Sequence, residues 1–191
     1  PSLREFAHRG RVALATLVSV EGPSPRPLGS EMAIAADGAV AGYVSGGCVE
    51  AAVADEAAVS LAEGRPRLLD YGVGSEVVDI QLSCGGRIGI FVRELREPSA
   101  YVHALGVARR ERRTVTVLVD ASTGDWRIAE GARAGDERTY AVVHRPPLRL
   151  VVVGGDPVTL AVARLAPLLG MEVLLLRPHG PHSPPPDVAL A

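Results

Sequence analysis

Apolar residues alternate with small and polar ones through VALATLVSVEG, residues 12–22, and the β-branched content of the run marks a half-buried strand. EMAIAADGAVAGYVSGG, residues 31–47, carries two short apolar runs around Asp37-Gly38, a favoured two-residue turn, and reads as a hairpin. Between them lies PSPRPLGS, residues 23–30, with three prolines. Each proline fixes φ and removes a donor, so this loop is stiff and stays outside any sheet. From Val49 to Glu63 the pattern changes to Ala and Glu, which favour a helix, with Gly64 and Pro66 placed to stop it. RLLDYGV (67–73) predicts a short strand, and DIQLSCGGRIGIFVREL (79–95) a strand, a Gly-rich kink and another strand. Residues 2–9 read as the end of a short helix, and Ser99 is placed to cap a helix over 100–112. TVTVLVD (114–120), WRIAE (126–130) and TYAVVH (139–144) predict successive strands joined by polar turns.

Arg145-Pro146-Pro147 marks a domain boundary. Beyond it, residues 148–178 have the pattern of a βαβ unit, whose first strand, 149–153, is continuously apolar, as expected of a parallel strand buried on both faces. The Pro-rich end, HGPHSPPPDVALA, predicts poor order. The fold class expected is α/β: an N-terminal mixed α+β domain with a largely β core over 1–145, then a short Rossmann-like βαβ unit and Pro-rich tail within 148–191. A lone βαβ unit covers its apolar faces poorly, which favours a homodimer.

Composition narrows the function. Of 191 residues, 47% are hydrophobic, enough for a core. Basic and acidic residues number 20 and 22, and aromatics make up 4%, so neither a phosphate-backbone footprint nor a base-stacking platform is present; nucleic acid is not an expected partner. No apolar run approaches the roughly 20 residues that span a bilayer, and PSLREFAHRGR lacks the apolar segment of a signal peptide. With two cysteines there is no disulfide scaffold, and the expected compartment is the cytoplasm.

Both cysteines stand beside a Gly-Gly pair. In SGGCVE, residues 45–50, a strand ends and a helix begins near Cys48. Backbone N–H groups there favour negative charge, a thiol there is expected to be reactive, and Gly46 and Gly47 admit a close ligand. In SCGGR, residues 83–87, Cys84 is expected at a strand end before a bulge, with Arg87 able to hold an anion. A tight turn with a small packed thiol explains either motif equally well. Their separation fits no zinc pattern, and His8, His103, His144, His179 and His182 are scattered. Arg26, between two prolines, could clamp a phosphate or carboxylate. The turn VVVGGDPV places Gly154 as the first glycine of a dinucleotide fingerprint, but Asp156 and Thr159 hold the later glycine positions, and Arg177 stands where the ribose-binding acid belongs. Asp156 followed by Pro157 is also a natural helix start. NAD(P) binding is thus a thinly supported expectation.

In this order the stretches 15–53, 64–72 and 82–92 resemble the xanthine dehydrogenase accessory factor family, XdhC/CoxI, through SPRPLG, GYVSGGCVE and LSCGG. The resemblance implies a chaperone for a molybdopterin-type molybdenum cofactor, a carrier rather than a catalyst. It implies support for cofactor sulfuration with a cysteine desulfurase, and insertion into a molybdenum hydroxylase apoenzyme such as xanthine or carbon monoxide dehydrogenase. By motif it implicates Arg26, Ser45, Gly46, Gly47, Cys48, Glu50, Cys84, Gly85 and Gly86, with Cys48 the first candidate for contact with molybdenum or transferred sulfur. The family's Rossmann unit is longer and has a different glycine turn, so the unit here reads as truncated. Two other classes stay open: an NADP(H)-dependent oxidoreductase, and a thiol-redox protein using Cys48 and Cys84.

Overall fold

The computed structural model describes residues 3–6, 10–75, 82–181, 183 and 185. The chain divides into two compact units, Pro1–His144 and Arg145–Ala191.

In the first unit β1 (Val12–Glu21) is the central strand of an antiparallel sheet. It lies between β2 (Glu31–Ala35) and β5 (Arg87–Glu94), with β3 (Val40–Gly42) and β4 (Arg67–Gly72) at the edges, in the order β3-β2-β1-β5-β4. The two-residue period of β1 sorts the core into two layers. Ala13, Ala15 and Leu17 face one side, together with Ile34, Ile88, Ile90 and Val92. Helix α2 (Glu50–Glu63) covers this side with Val53, Ala57 and Leu61, spaced four apart on one helical face. It ends at Gly64, left-handed at φ 67°, whose N–H donates to the Ser60 carbonyl over 2.9 Å.

Val12, Leu14, Ala33, Ala35 and Phe91 face the other side. There the cover is a second antiparallel sheet, β7-β6-β8, made of β6 (Val115–Asp120), β7 (Trp126–Glu130) and β8 (Thr139–His144), together with α3 (Pro98–Arg110) and Phe6 of the short α1 (Leu3–Phe6). The hairpin at Asp37-Gly38 forms as the pattern predicts. One boundary differs. Helix α3 starts at Pro98 after Glu97, so Ser99 lies inside it; the preset φ of proline suits a first helical position. The segment before β5 is a turn closed by Gly85 N–H donating to the Leu82 carbonyl over 2.9 Å, and the strand expected over 79–81 lies outside the described residues. The first helix occupies 3–6, and 7–9 also lie outside the described residues.

The second unit pairs β9 (Arg149–Val153) and β10 (Glu172–Leu176) in parallel, joined through α4 (Pro157–Leu165). Ala163 and Ala166 pack against Leu150, Val152 and Val173. The strand expected to be buried on both faces is covered on one: Val151 and Val153 are 52% and 63% exposed. A single helix covers a single face of a two-stranded sheet, and Leu174 and Leu176 share the open side. Among the described residues no helix is long and apolar enough to cross a membrane.

One polar group of the first unit is buried between the layers. The Tyr101 hydroxyl donates to Glu31 Oε1 over 2.9 Å, and the Arg93 guanidinium lies 5.8 Å from the Tyr101 ring centre. Burial raises the Glu31 carboxyl from its ordinary 4.5 to about 7, against the opposing pull of the Tyr101 hydrogen bond and the Arg93 charge. A raised carboxyl supports the fold while protonated, so its contribution is full below about 4.5 and is lost as pH rises through about 7. Glu31→Gln, which mimics the protonated form, is expected to match the parent in thermal stability at pH 5 and to exceed it at pH 8 by about 1–3 kcal/mol. Parallel melting-temperature profiles for the two proteins across that range would sink this assignment.

Candidate functional site

Three loops meet at one end of the five-stranded sheet: 22–30 leaves β1, 43–49 enters α2, and 82–86 enters β5. Glu21 and Arg87 stand opposite each other where β1 and β5 end. The contacts between the loops are close. A Cβ added at Gly86 would lie 2.3 Å from the Pro23 carbonyl oxygen, so only glycine fits there. Gly46, at φ 103°, brings its backbone against the Pro25 ring, where a Cβ would sit 3.4 Å away. Cys48 Sγ lies 3.5 Å from Ser83 Oγ.

The loops enclose an open pocket of about 480 Å³, within the range of small-molecule sites. The first loop supplies Pro23, Ser24 and Pro25 as one wall. The second supplies Ser45, Gly46 and Cys48, and the third Leu82, Ser83 and Cys84, with Ile88 of β5 behind them. Cys48 is exposed and Cys84 partly buried, and both are free thiols. None of these lining side chains is charged. The surface offered is soft sulfur, serine hydroxyl and apolar proline, leucine and isoleucine.

The N–H groups expected to receive an anionic ligand already hold one. Glu50, the first residue of α2, turns its carboxylate back under the preceding loop. Its Oε1 accepts from the N–H groups of Val44 (3.1 Å), Ser45 (2.8 Å) and Gly46 (3.0 Å). Its Oε2 accepts from Gly47 N–H (2.8 Å) and from the Ser45 hydroxyl (2.6 Å). The Ser45 hydroxyl oxygen in turn accepts from Cys48 N–H over 3.1 Å. Desolvation pushes the Glu50 carboxyl up, but the hydrogen bonds from the Ser45 side chain and from the backbone of Ser45, Gly46 and Gly47 outweigh it and bring it down to about 2. The positive end of α2 reinforces a negative charge at this place. Glu50 is therefore an internal anion that shapes the turn, not a ligand-facing acid, and Gly47 serves the same cage.

Other expected site residues divide in the same way. Ser45, Gly46, Cys48 and Cys84 line the pocket. Gly86 is a packing glycine, and Gly85, at φ 72°, closes the turn that carries Cys84, which sits in that turn rather than at a strand end. Arg87 is paired within the sheet: its Nε donates to Asp70 Oδ1 over 2.9 Å, and a second nitrogen pairs with Oδ2. Arg26 is exposed, with its backbone braced by Ser24 Oγ, which donates to the Arg26 carbonyl over 2.9 Å. Gly154 belongs to the second unit, at φ 136° in the turn after β9. There Asp156 Oδ1 accepts from Val158 and Thr159 N–H over 3.0 and 3.1 Å, and its Oδ2 pairs with the Thr159 hydroxyl. A bound pyrophosphate would need those donors, so this turn gives NAD(P) no support. His8 and His182 lie outside the described residues. Among the described residues no three His, Cys, Asp or Glu side chains gather to hold a metal ion by themselves. Sequence reasoning passed over Pro23, Pro25 and Ser83 as wall residues, although the stiffness of the proline loop and the position of Ser83 beside Cys84 were the signals for them.

The first unit thus carries an open pocket lined by two free thiols between its loops. Residues 6–72 match the model of the XdhC and CoxI family. Residues 6–72 thus carry the sequence of this family. It is 36% identical over 161 residues to the molybdenum cofactor insertion chaperone PaoD of Escherichia coli K12, an alignment covering 83% of this chain and 50% of PaoD. It is 33% identical over 81 residues to the uncharacterized protein YqeB of the same organism, covering 42% of this chain and 15% of YqeB. The chain thus spans half the length or less of these curated relatives. A solved structure described as a xanthine dehydrogenase from Bacillus halodurans shares the fold, with a TM-score of 0.67 and 21% identity over 91% of this chain and 60% of that one.

Replacing Glu50 by Gln leaves an amide that accepts through one oxygen and turns N–H groups toward other donors. Glu50→Gln is expected to lower stability at pH 7 by about 1–3 kcal/mol, read as a shift of the urea midpoint. Glu50 supports the parent fold above the ordinary carboxylate value of 4.5, and that support fades as pH falls through about 2. The gap between parent and variant should therefore narrow in acid; a gap that stays constant down to pH 2 would contradict the cage.

Proposed function

We propose that the chain handles the molybdenum cofactor as cargo, holding it at the pocket of the first unit before insertion into a molybdenum hydroxylase. The observation that carries this reading is the meeting of Cys48 and Cys84 at one open pocket, in a chain 36% identical to an insertion chaperone over 161 residues. The cofactor is a pterin bearing a dithiolene, molybdenum and a phosphate. The thiols and serine hydroxyls suit its metal–sulfur end, and the walls from Pro23, Pro25, Leu82 and Ile88 suit its flat ring. Its phosphate would not enter the N–H cage, which Glu50 fills, and Arg26 on the stiff outer loop is the cation left for it.

The recipient would be a molybdenum hydroxylase apoenzyme of the xanthine or carbon monoxide dehydrogenase type. A cysteine desulfurase would supply sulfur to the held cofactor, with the chain acting as a homodimeric carrier in the cytoplasm. On this reading the chain acts as a carrier rather than a catalyst.

Incubation with cofactor released from a molybdenum enzyme, followed by assay of protein-bound molybdenum and pterin, tests the proposal. The parent is expected to retain both in stoichiometric amount. Cys48→Ala and Cys84→Ala are each expected to retain at least about tenfold less at limiting cofactor, about 1.4 kcal/mol of binding. Uptake by both variants equal to that of the parent would remove the thiols from the site.

A further inference from the structure

We propose that Cys48 and Cys84 form a reversible thiol–disulfide pair that closes the pocket. The gating consequence rests on the cofactor reading above; the pairing itself does not. Both thiols are free and line the same pocket, and Cys48 is the exposed one, open to attack from solvent. Its sulfur already lies 3.5 Å from Ser83 Oγ, the side chain adjoining Cys84. A disulfide joins residues whose Cα atoms are about 4.4–6.8 Å apart, so a partner in the adjoining position needs a local adjustment, not a change of fold.

The two sides differ in freedom. The Cys48 backbone is pinned, since its N–H donates to Ser45 Oγ and the loop before it is tied to Glu50. Cys84 sits in a turn closed by one hydrogen bond, from Gly85 N–H to the Leu82 carbonyl, and nothing lies within 4 Å of where a Gly85 Cβ would stand. Rotation within this turn moves Cys84 toward the place that Ser83 now holds beside Cys48.

The oxidant assigned is a small-molecule disulfide of the glutathione type. The Cys48 thiol loses its proton to solvent and its sulfur attacks one sulfur of the reagent; that S–S bond breaks, and one reagent thiolate leaves and is protonated. Cys84, deprotonated in turn, attacks the Cys48 sulfur and expels the second reagent thiolate. Two protein thiols are oxidised by two electrons to one disulfide, and the reagent disulfide is reduced to two thiols. The reverse exchange reopens the pair. While closed, the pocket has lost both soft donors and is bridged between two of its walls.

The test treats the full chain with glutathione disulfide, blocks remaining thiols, and maps the peptides by mass spectrometry. The parent should yield a Cys48–Cys84 peptide, two hydrogens lighter than the sum of its parts, and no lasting glutathione adduct. Cys84→Ser should accumulate glutathione on Cys48, because the resolving thiol is gone. Glutathione retained on both cysteines of the parent, with no Cys48–Cys84 peptide, would overturn the pairing. A second measurement reads gating: oxidised parent should lose uptake of released molybdenum cofactor, and dithiothreitol should restore it. Undiminished uptake by fully disulfide-bonded protein would overturn the gate. A disulfide that forms in a chain taking up no cofactor even when reduced would support the pairing and count against the cofactor reading instead.

Discussion

The pocket depends on one set of charge-assisted hydrogen bonds, the Glu50 carboxylate held by the loop that precedes its own helix. Five backbone N–H groups and one hydroxyl converge on its two oxygens. Without it those donors would point at one another's space, and the left-handed Gly46 and Gly47 would have nothing to hold their conformation. The same cage sets the direction of Cys48, through Ser45, and the distance from Gly46 to Pro25. A motif that resembles an anion-binding turn is thus closed by its own anion, and what it presents to a guest is sulfur and hydroxyl rather than positive charge.

The frame around this cage follows from strand alternation. Because β1 buries both faces, it sits in the middle of a layered unit, between two antiparallel neighbours. That arrangement brings the exit of β1, the entry to β5 and the entry to α2 to one end of the sheet. The loops there are packed backbone against backbone, at Gly86 on Pro23, which braces their bases while the turn around Gly85 stays uncrowded.

Much of this was legible from the chain. The period-two runs gave nearly every strand of the first unit, since half-buried strands declare themselves by alternation, and the Ala- and Glu-rich run gave α2. The two Gly-Gly-Cys settings and the proline loop pointed to the segments that meet at the pocket. The role of Glu50 was not legible. Its carboxylate reaches back over several residues, and a helix-starting acid looks the same whether it faces a ligand or its own loop. The partner of Arg87 was hidden for a different reason: Asp70 lies 17 residues away and becomes its neighbour only through the pairing of β4 with β5. The apolar run of β9 could not reveal that one of its faces lacks a cover, because hydrophobicity reports a tendency to be buried and not the presence of a covering layer. Ser99 lost the helix start to Pro98, a local competition in which the proline's fixed φ prevailed.

No charged side chain lines the pocket. The walls themselves add no charge to attract an anionic guest, so any steering comes from groups outside the lining, such as Arg26. Selectivity then lies in how long a guest stays once it touches the walls, through sulfur contact and fit. On the proposed cofactor reading, release follows when those short-range contacts are exchanged for better ones, and handover is a matter of surface competition.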